Sequence, residues 1–371
     1  MISRRRPLMP TLIRSLLPLL LLVARLAPAQ SIHTEAAEAY WHLTDALRRD
    51  ESLTDVAWQQ LLALPDNRVY VNSVWGSDTA DLRRYRRAVE VVYRPRYDSL
   101  RRVRVQAGSW YYVLVNQYKE HEADDRAFLA EVAKNPGYLE NMYAQAQAFL
   151  PARNHTKVAN LHLAYVALGN DATSQAEGIV FSVRDARTYQ AFPGRLEAHE
   201  MHHQLRTGKD FGPQDPADQG ILWAVNSAQN EGLADLVDKR ALLEQTTDTA
   251  TANETRRWLL APAPAVLHKI DSTLRAQAAG GPATPRRFYK GLTNGSNGHL
   301  PGFFMAYTIL QNGYLKPLLA HADDPLAFVL LYQRAATRDR LHRHPPTFSP
   351  AAVHYLRQLA HKYAKPRQAA A

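Results

Sequence analysis

The chain has 371 residues, 46% of them hydrophobic, a formal charge of +10 and no cysteine. This length and composition suit one large globular domain or two closely packed ones. The lack of cysteine excludes a disulfide scaffold and a lipid anchor through a lipobox cysteine, leaving stability to an ordinary core or a bound metal.

In chain order, residues 1–29 read as a secretory signal peptide. Arg4, Arg5 and Arg6 form a positive leader, an apolar run extends from Leu16 to Val23, and Ala27-Pro28-Ala29 offers a small-residue cleavage site before Gln30. The apolar run is about half of the roughly 20 residues a spanning helix needs, and Arg14, Pro18 and Arg25 crowd it. Cleavage near Gln30 and a secreted or periplasmic product are therefore expected, with no stable membrane insertion afterwards. Losing Arg4, Arg5, Arg6, Arg14 and Arg25 lowers the formal charge by five, so the mature chain is only mildly basic.

Residues 30–155 read as a helical N-terminal region. Ser52-Leu53-Thr54-Asp55 precedes apolar Val56, Leu61, Leu62 and Leu64, and Pro65-Asp66-Asn67 ends that helix. Further helices are expected over 81–93 and, after the turn signal Asn135-Pro136-Gly137, over 138–150. Arginine crowds the stretch from Asp81 to Arg104, with Tyr85, Tyr93 and Tyr97 interleaved. No nucleic-acid recognition motif accompanies it, so a solvated helix face or contact with an anionic cell envelope is the reading, and no nucleic-acid partner is expected. The acidic cluster Glu120, Glu122, Asp124 and Asp125, with His121 inside it, could bind a stray cation but reads first as a surface turn.

The pattern changes in residues 156–245. Leu161, Leu163, Tyr165 and Ala167 alternate with other residues, Gly169-Asn170-Asp171 supplies a turn, and 178–183 is a second β-like run, so a hairpin or two neighbouring strands are predicted. Helices are expected over 196–206, stopped by Thr207-Gly208, and over 221–240. Residues 246–371 read as a helical C-terminal region broken near Gly280-Gly281-Pro282 and over 291–298. The fold class is α+β, mostly helical, with a small β-sheet.

The helix over 196–206 contains His199-Glu200-Met201-His202-His203. Residues four apart share a helix face, so His199 and His203 can converge on one zinc ion, while Glu200 points to the side, where a general base for an attacking water is needed. The bland alternative is a polar face of solvated histidines. A zinc hydrolase also needs a third ligand from a neighbouring helix, and Asn230-Glu231-Gly232-Leu233-Ala234-Asp235 lies on the next one. Glu231 and Asp235 share a face, so Glu231 can ligate while Asp235 accepts a hydrogen bond from a ligand imidazole and so supports the cofactor site. The alternative there is a surface carboxylate pair.

These residues resemble the gluzincin metallopeptidases, the thermolysin-like clan, whose pattern is His-Glu-x-x-His followed on the next helix by Asn-Glu-x-x-x-Asp. The resemblance covers roughly residues 160–240 and implies a zincin-like core with an active-site helix and a second ligand-bearing helix. It makes His199, His203 and Glu231 the ligands of Zn2+, Glu200 the base, and Asp235 the residue that orients a ligand. The flanking helical regions are similar to secreted bacterial zinc-dependent peptidases of unknown function. The clan also places an edge strand before the active-site helix, a position 178–183 would fill, with a peptide or protein as substrate. A metzincin would need Gly at 206 and His at 209, where Arg206 and Lys209 stand, and a di-iron site would need a second Glu-x-x-His. His202 reads as a neighbour of the site or a surface residue. For the oxyanion donor, His299 and Tyr307 are the candidates, each with an ordinary structural alternative. The reading is a secreted zinc-dependent metallohydrolase, as a peptidase first, with a catalytically silent binding protein of this fold or a zinc hydrolase of a non-peptide amide as alternatives.

Overall fold

A computed structural model describes residues 30–76, 79–176, 178–293 and 296–364. The signal peptide predicted over 1–29 lies outside the described residues.

Four strands form one mixed sheet in the order β1-β2-β4-β3: β1 (Ser31–His33), β2 (His162–Val166), β3 (Ala172–Gln175) and β4 (Gly178–Ser182). The two runs seen in sequence are β2 and β4, but they are parallel neighbours, with Leu163 opposite Ile179 and Val166 opposite Ser182. The hairpin is instead β3–β4, antiparallel, with Ala172 opposite Phe181. The strand expected at the sheet edge, over 178–183, is therefore interior, and β3 takes the edge. β2 and β4 are buried on both faces, as parallel strands covered by helices are. That burial removes the in-out alternation that would mark their neighbours. β1 pairs in parallel with β2, so the chain contributes a strand to the sheet before its first helix.

The N-terminal helices are α1 (Glu35–Arg48), α2 (Asp55–Ala63), α3 (Pro65–Val74), α4 (Thr79–Tyr93), α5 (Asp98–Gln106), α6 (Trp110–Glu120), α7 (Glu122–Lys134) and α8 (Tyr138–Gln147). Thr54 caps α2, its hydroxyl accepting from the Ala57 amide at 3.1 Å. Pro65, expected to end that helix, also starts α3 at its first position, where its missing N–H costs nothing. After the sheet come α9 (Val183–Thr188), α10 (Arg195–Leu205), α11 (Gln219–Asp235), α12 (Lys239–Glu244) and α13 (Thr249–Thr255). A π-helical turn over Arg256–Leu260 leads to α14 (Ala263–Ala278), α15 (Arg286–Leu292), α16 (His299–Gln311), α17 (Leu315–Ala320), α18 (Pro325–Arg338) and α19 (Pro350–Lys362). One hydrophobic core runs through all three sequence regions, from Ala36 through Tyr165 and Leu233 to Leu359.

Two contacts position the site. The carboxylate of Glu197 on α10 is buried and accepts from the hydroxyls of Tyr138 on α8 (2.8 Å) and Tyr165 on β2 (2.7 Å), which pins the helix to the sheet. On the other side, α11 and α16 pack backbone to backbone. A Cβ on Gly302 would lie 2.1 Å from the Ala228 carbonyl oxygen, and one on Gly232 would lie 2.3 Å from the Gly302 carbonyl oxygen. Only glycine permits that approach. We expect Gly302→Ala to lower stability by roughly 1–3 kcal/mol through overpacking, read as a fall in the denaturant midpoint; an unchanged midpoint would mean that the two backbones are not in contact.

Candidate metal centre

On α10, Ala198, Met201 and Leu205 are buried, as are His199 and, on the far side, His202. The Nε2 of His202 donates to the Phe149 carbonyl at 3.4 Å. Burial pushes its pKa well below the ordinary histidine value, so the ring is neutral. His202 is therefore an internal residue packed away from the cleft and not a surface one.

His199 and His203 converge as the four-residue spacing requires, and α11 brings Glu231 to them. The Nε2 atoms of His199 and His203 are 3.2 Å apart, and the Glu231 Oε2 is 3.3 Å from His203 and 3.7 Å from His199. Zinc bonds of about 2.0–2.1 Å in a tetrahedron set ligand atoms about 3.3–3.4 Å apart. Two imidazoles and one carboxylate with these separations fit a single Zn2+ with a coordination position left over. Asn230 donates to Glu231 Oε1 at 3.1 Å and leaves Oε2 aimed at the histidines. Arg206, at the end of α10, donates to the side-chain amide oxygen of Asn230 at 3.2 Å and to that of Gln229 at 2.5 Å, locking α10 to α11.

The residues around the triad differ from the sequence expectation in one respect. Asp235 lies 3.7 Å from His199 Nδ1, while Asp238 accepts from that nitrogen at 3.1 Å. Asp235 is within hydrogen-bonding distance of His299, whose Nδ1 lies 3.0 Å from both of its carboxylate oxygens. Sequence reasoning missed Asp238 because it extended the helix to Arg240. The chain instead breaks after Asp235, and Asp238 caps α12 through the Lys239 amide at 2.8 Å. The Lys239 ammonium holds the other Asp238 oxygen at 2.6 Å and the Tyr189 hydroxyl at 2.7 Å. The only sequence signal for this was a third acidic residue three positions beyond Asp235.

His299 stands at the start of α16, its ring stacked 5.7 Å from that of His199 and its Nε2 3.4 Å from Glu231. Tyr307, two turns further on, donates to Glu244 at 2.9 Å and stacks on Phe303; it does not line the cleft. Glu200 does, with its carboxylate 4.0 Å from His199 Nε2. The cleft encloses about 810 Å³ between the triad, β3, Ser296, Asn297 and the half-exposed Trp258 of the π-helical turn. Gln204 of α10 donates to Ser174 and to the Gln175 carbonyl, tying β3 alongside the triad.

The centre is rich in buried carboxylates. Burial opposes charge on His199, but Asp238, Glu231 and Glu200 outweigh it and raise its pKa well above the ordinary value. Burial likewise opposes charge on Glu231, where His203, His199 and His299 prevail and hold the carboxyl well below its usual range. In the metal-free protein His199 thus keeps a proton at neutral pH that zinc must displace. Zinc affinity should rise with pH until the raised pKa of His199 is passed, with about one proton released per ion near neutrality, measurable by titration calorimetry in buffers of different ionisation enthalpy. Affinity independent of pH would contradict this. Asp238→Asn should weaken zinc binding by about 10–100-fold, read by chelator competition.

One comparison bears on the metal. Residues 58–341 match a family described as 'Putative zinc dependent peptidase (DUF5700)'. No curated protein and no solved structure matches the chain. The match covers well over half of the sequence, and the chain belongs to this family.

Proposed function

We propose that this chain is an exported zinc metallopeptidase of the gluzincin type, with His199, His203 and Glu231 as metal ligands and Glu200 as general base. The observation that carries the reading is the separation of the three candidate ligand atoms, 3.2, 3.3 and 3.7 Å, beside the Glu200 carboxylate in an open cleft. The two histidines with one carboxylate are the donor set of a zinc hydrolase that keeps a position for substrate. When bound, zinc supplies Lewis-acid polarisation of the scissile carbonyl and of the attacking water.

The remaining work falls to the chain. Glu200 takes a proton from the water and delivers it to the leaving nitrogen. His299, held through Nδ1 by Asp235, directs its Nε2 towards the cleft, where a donor to the developing oxyanion is needed. Burial opposes the charge of His299, but Asp235 outweighs it and raises its pKa above the ordinary histidine value. Asp238 fixes His199 in the tautomer that offers Nε2 to metal. β3, at the edge of the sheet and along the cleft, supports pairing with an extended peptide. Export rests on the leader in 1–29; among the described residues no helix is long and apolar enough to cross a membrane.

Cleavage of a mixed peptide pool, with and without chelator, tests the activity. Glu200→Gln should retain stoichiometric zinc and lose about 10²–10⁴-fold in kcat/KM, whereas His203→Ala should lose the metal. A Glu200→Gln enzyme as active as the parent would sink the mechanism.

A further inference from the structure

A second cavity, of about 490 Å³, opens beside the metal centre and shares His199, Glu200, Asp171, Trp258 and His299 with the cleft. A residue flanking the scissile bond would therefore direct its side chain into it. Its lining carries Asp171, Asp185 and Glu254 beyond the groups used in catalysis. Lys239 is the one lysine or arginine of that lining, and its ammonium is already engaged by Asp238 and Tyr189.

Asp185 is the informative residue. It sits on α9 with its amide on the Ser182 hydroxyl at the helix cap, and its side chain lies partly exposed in the cavity wall. Among the described residues its carboxylate has no hydrogen-bond or ion-pair partner. Burial pushes its carboxyl up to about 7, with Lys239 offsetting only part of the effect; a carboxylate in this setting gains from a cation brought to it. A metal is a poor fit, because among the described residues Asp185 belongs to no group of ligands within reach of one ion. A bare amine would leave most of 490 Å³ empty. Trp258, 46% exposed on the π-helical turn, borders both cavities and offers an aromatic face to a long aliphatic stem or a guanidinium. π-Helical turns recur at functional sites.

We propose that this cavity is the subsite for a lysine or arginine side chain of the peptide substrate, with Asp185 as its ion-pair partner. Cleavage then occurs next to a basic residue. The inference rests on the peptidase reading for its substrate, while the cation site itself can be read without hydrolysis.

The test uses the zinc-loaded full-length mature protein and N-acetylated peptides carrying arginine, lysine, norleucine or glutamate at each position. The expected result is a preference for arginine and lysine at one position adjacent to the cut. The ratio of kcat/KM for arginine over norleucine should fall about tenfold or more in Asp185→Asn. Glu254→Gln, at an exposed position, should lower the ratio less. Cleavage without a basic preference, or an unchanged ratio in Asp185→Asn, overturns the inference and leaves the peptidase reading intact. Hydrolysis abolished by N-acetylation would assign the cation to the peptide α-amine and also overturns it. Independently, agmatine should bind the wild-type protein saturably and Asp185→Asn about tenfold or more weakly by calorimetry. Equal or absent binding overturns the cation site. Agmatine binding in a protein that cleaves no peptide upholds the site while the peptidase reading fails.

Discussion

The backbones of α11 and α16 touch at Gly232 and Gly302, and the charge arrangement of the centre follows from that contact. Glu231 immediately precedes Gly232, and Asp235 lies one turn from Glu231 on the same helix. Because no side chain separates the two helices there, His299 at the start of α16 comes within 3.0 Å of Asp235 and 3.4 Å of Glu231. A larger residue at either glycine would widen the gap and carry His299 away from both carboxylates. On the opposite side of α11, Arg206 bonds to Asn230 and Gln229, so the helix that supplies the third ligand is fixed from two directions. This is how a long helix with little amphipathic character is held to the tolerance that metal binding demands.

Within this frame each imidazole is paired with a carboxylate in a different role. His199 has Asp238 behind it and Glu231 in front, and His299 has Asp235 behind it. His203 has Glu231, and among the described residues its buried Nδ1 has no hydrogen-bond partner. Lys239 in turn holds Asp238, which keeps that buried carboxylate charged despite the cost of desolvation. The network therefore reaches from the cleft through Asp238 and Lys239 to Tyr189.

The cleft is built from elements far apart in sequence. β3 reaches its wall because the chain turns back after β2 and pairs antiparallel to β4, against the direction of the rest of the sheet. Trp258 reaches it because the helix after α13 widens to a π-turn, and Asp185 reaches the adjoining cavity because Ser182 ends β4 and caps α9 directly. These short irregular connections carry Asp185 and Trp258 to the two cavities, while the longer helices carry the candidate metal ligands His199, His203 and Glu231.

How much was legible in the sequence depended on the range of the interaction. His199, Glu200 and His203 were legible because a helix of 3.6 residues per turn fixes their relation locally. Glu231 and Asp235 were legible as a pair on one helix face, and the helices themselves from apolar spacing and caps such as Thr54. The mostly helical α+β class followed from the same signals. The sequence could not order the strands, because β2 and β4 are buried on both faces and no polar face marks which neighbour each pairs with, and the resemblance to the clan put 178–183 at the edge that β3 occupies. Nor could it pair carboxylates with imidazoles: Asp238 reached His199 only through a helix break at 236–238, and Asp235 met His299 only through the contact of Gly232 with Gly302. Local geometry determined which residues could bind a metal; the packing of distant helices decided which carboxylate supports which histidine, because hydrogen bonds form between neighbours in space, whatever their separation along the chain.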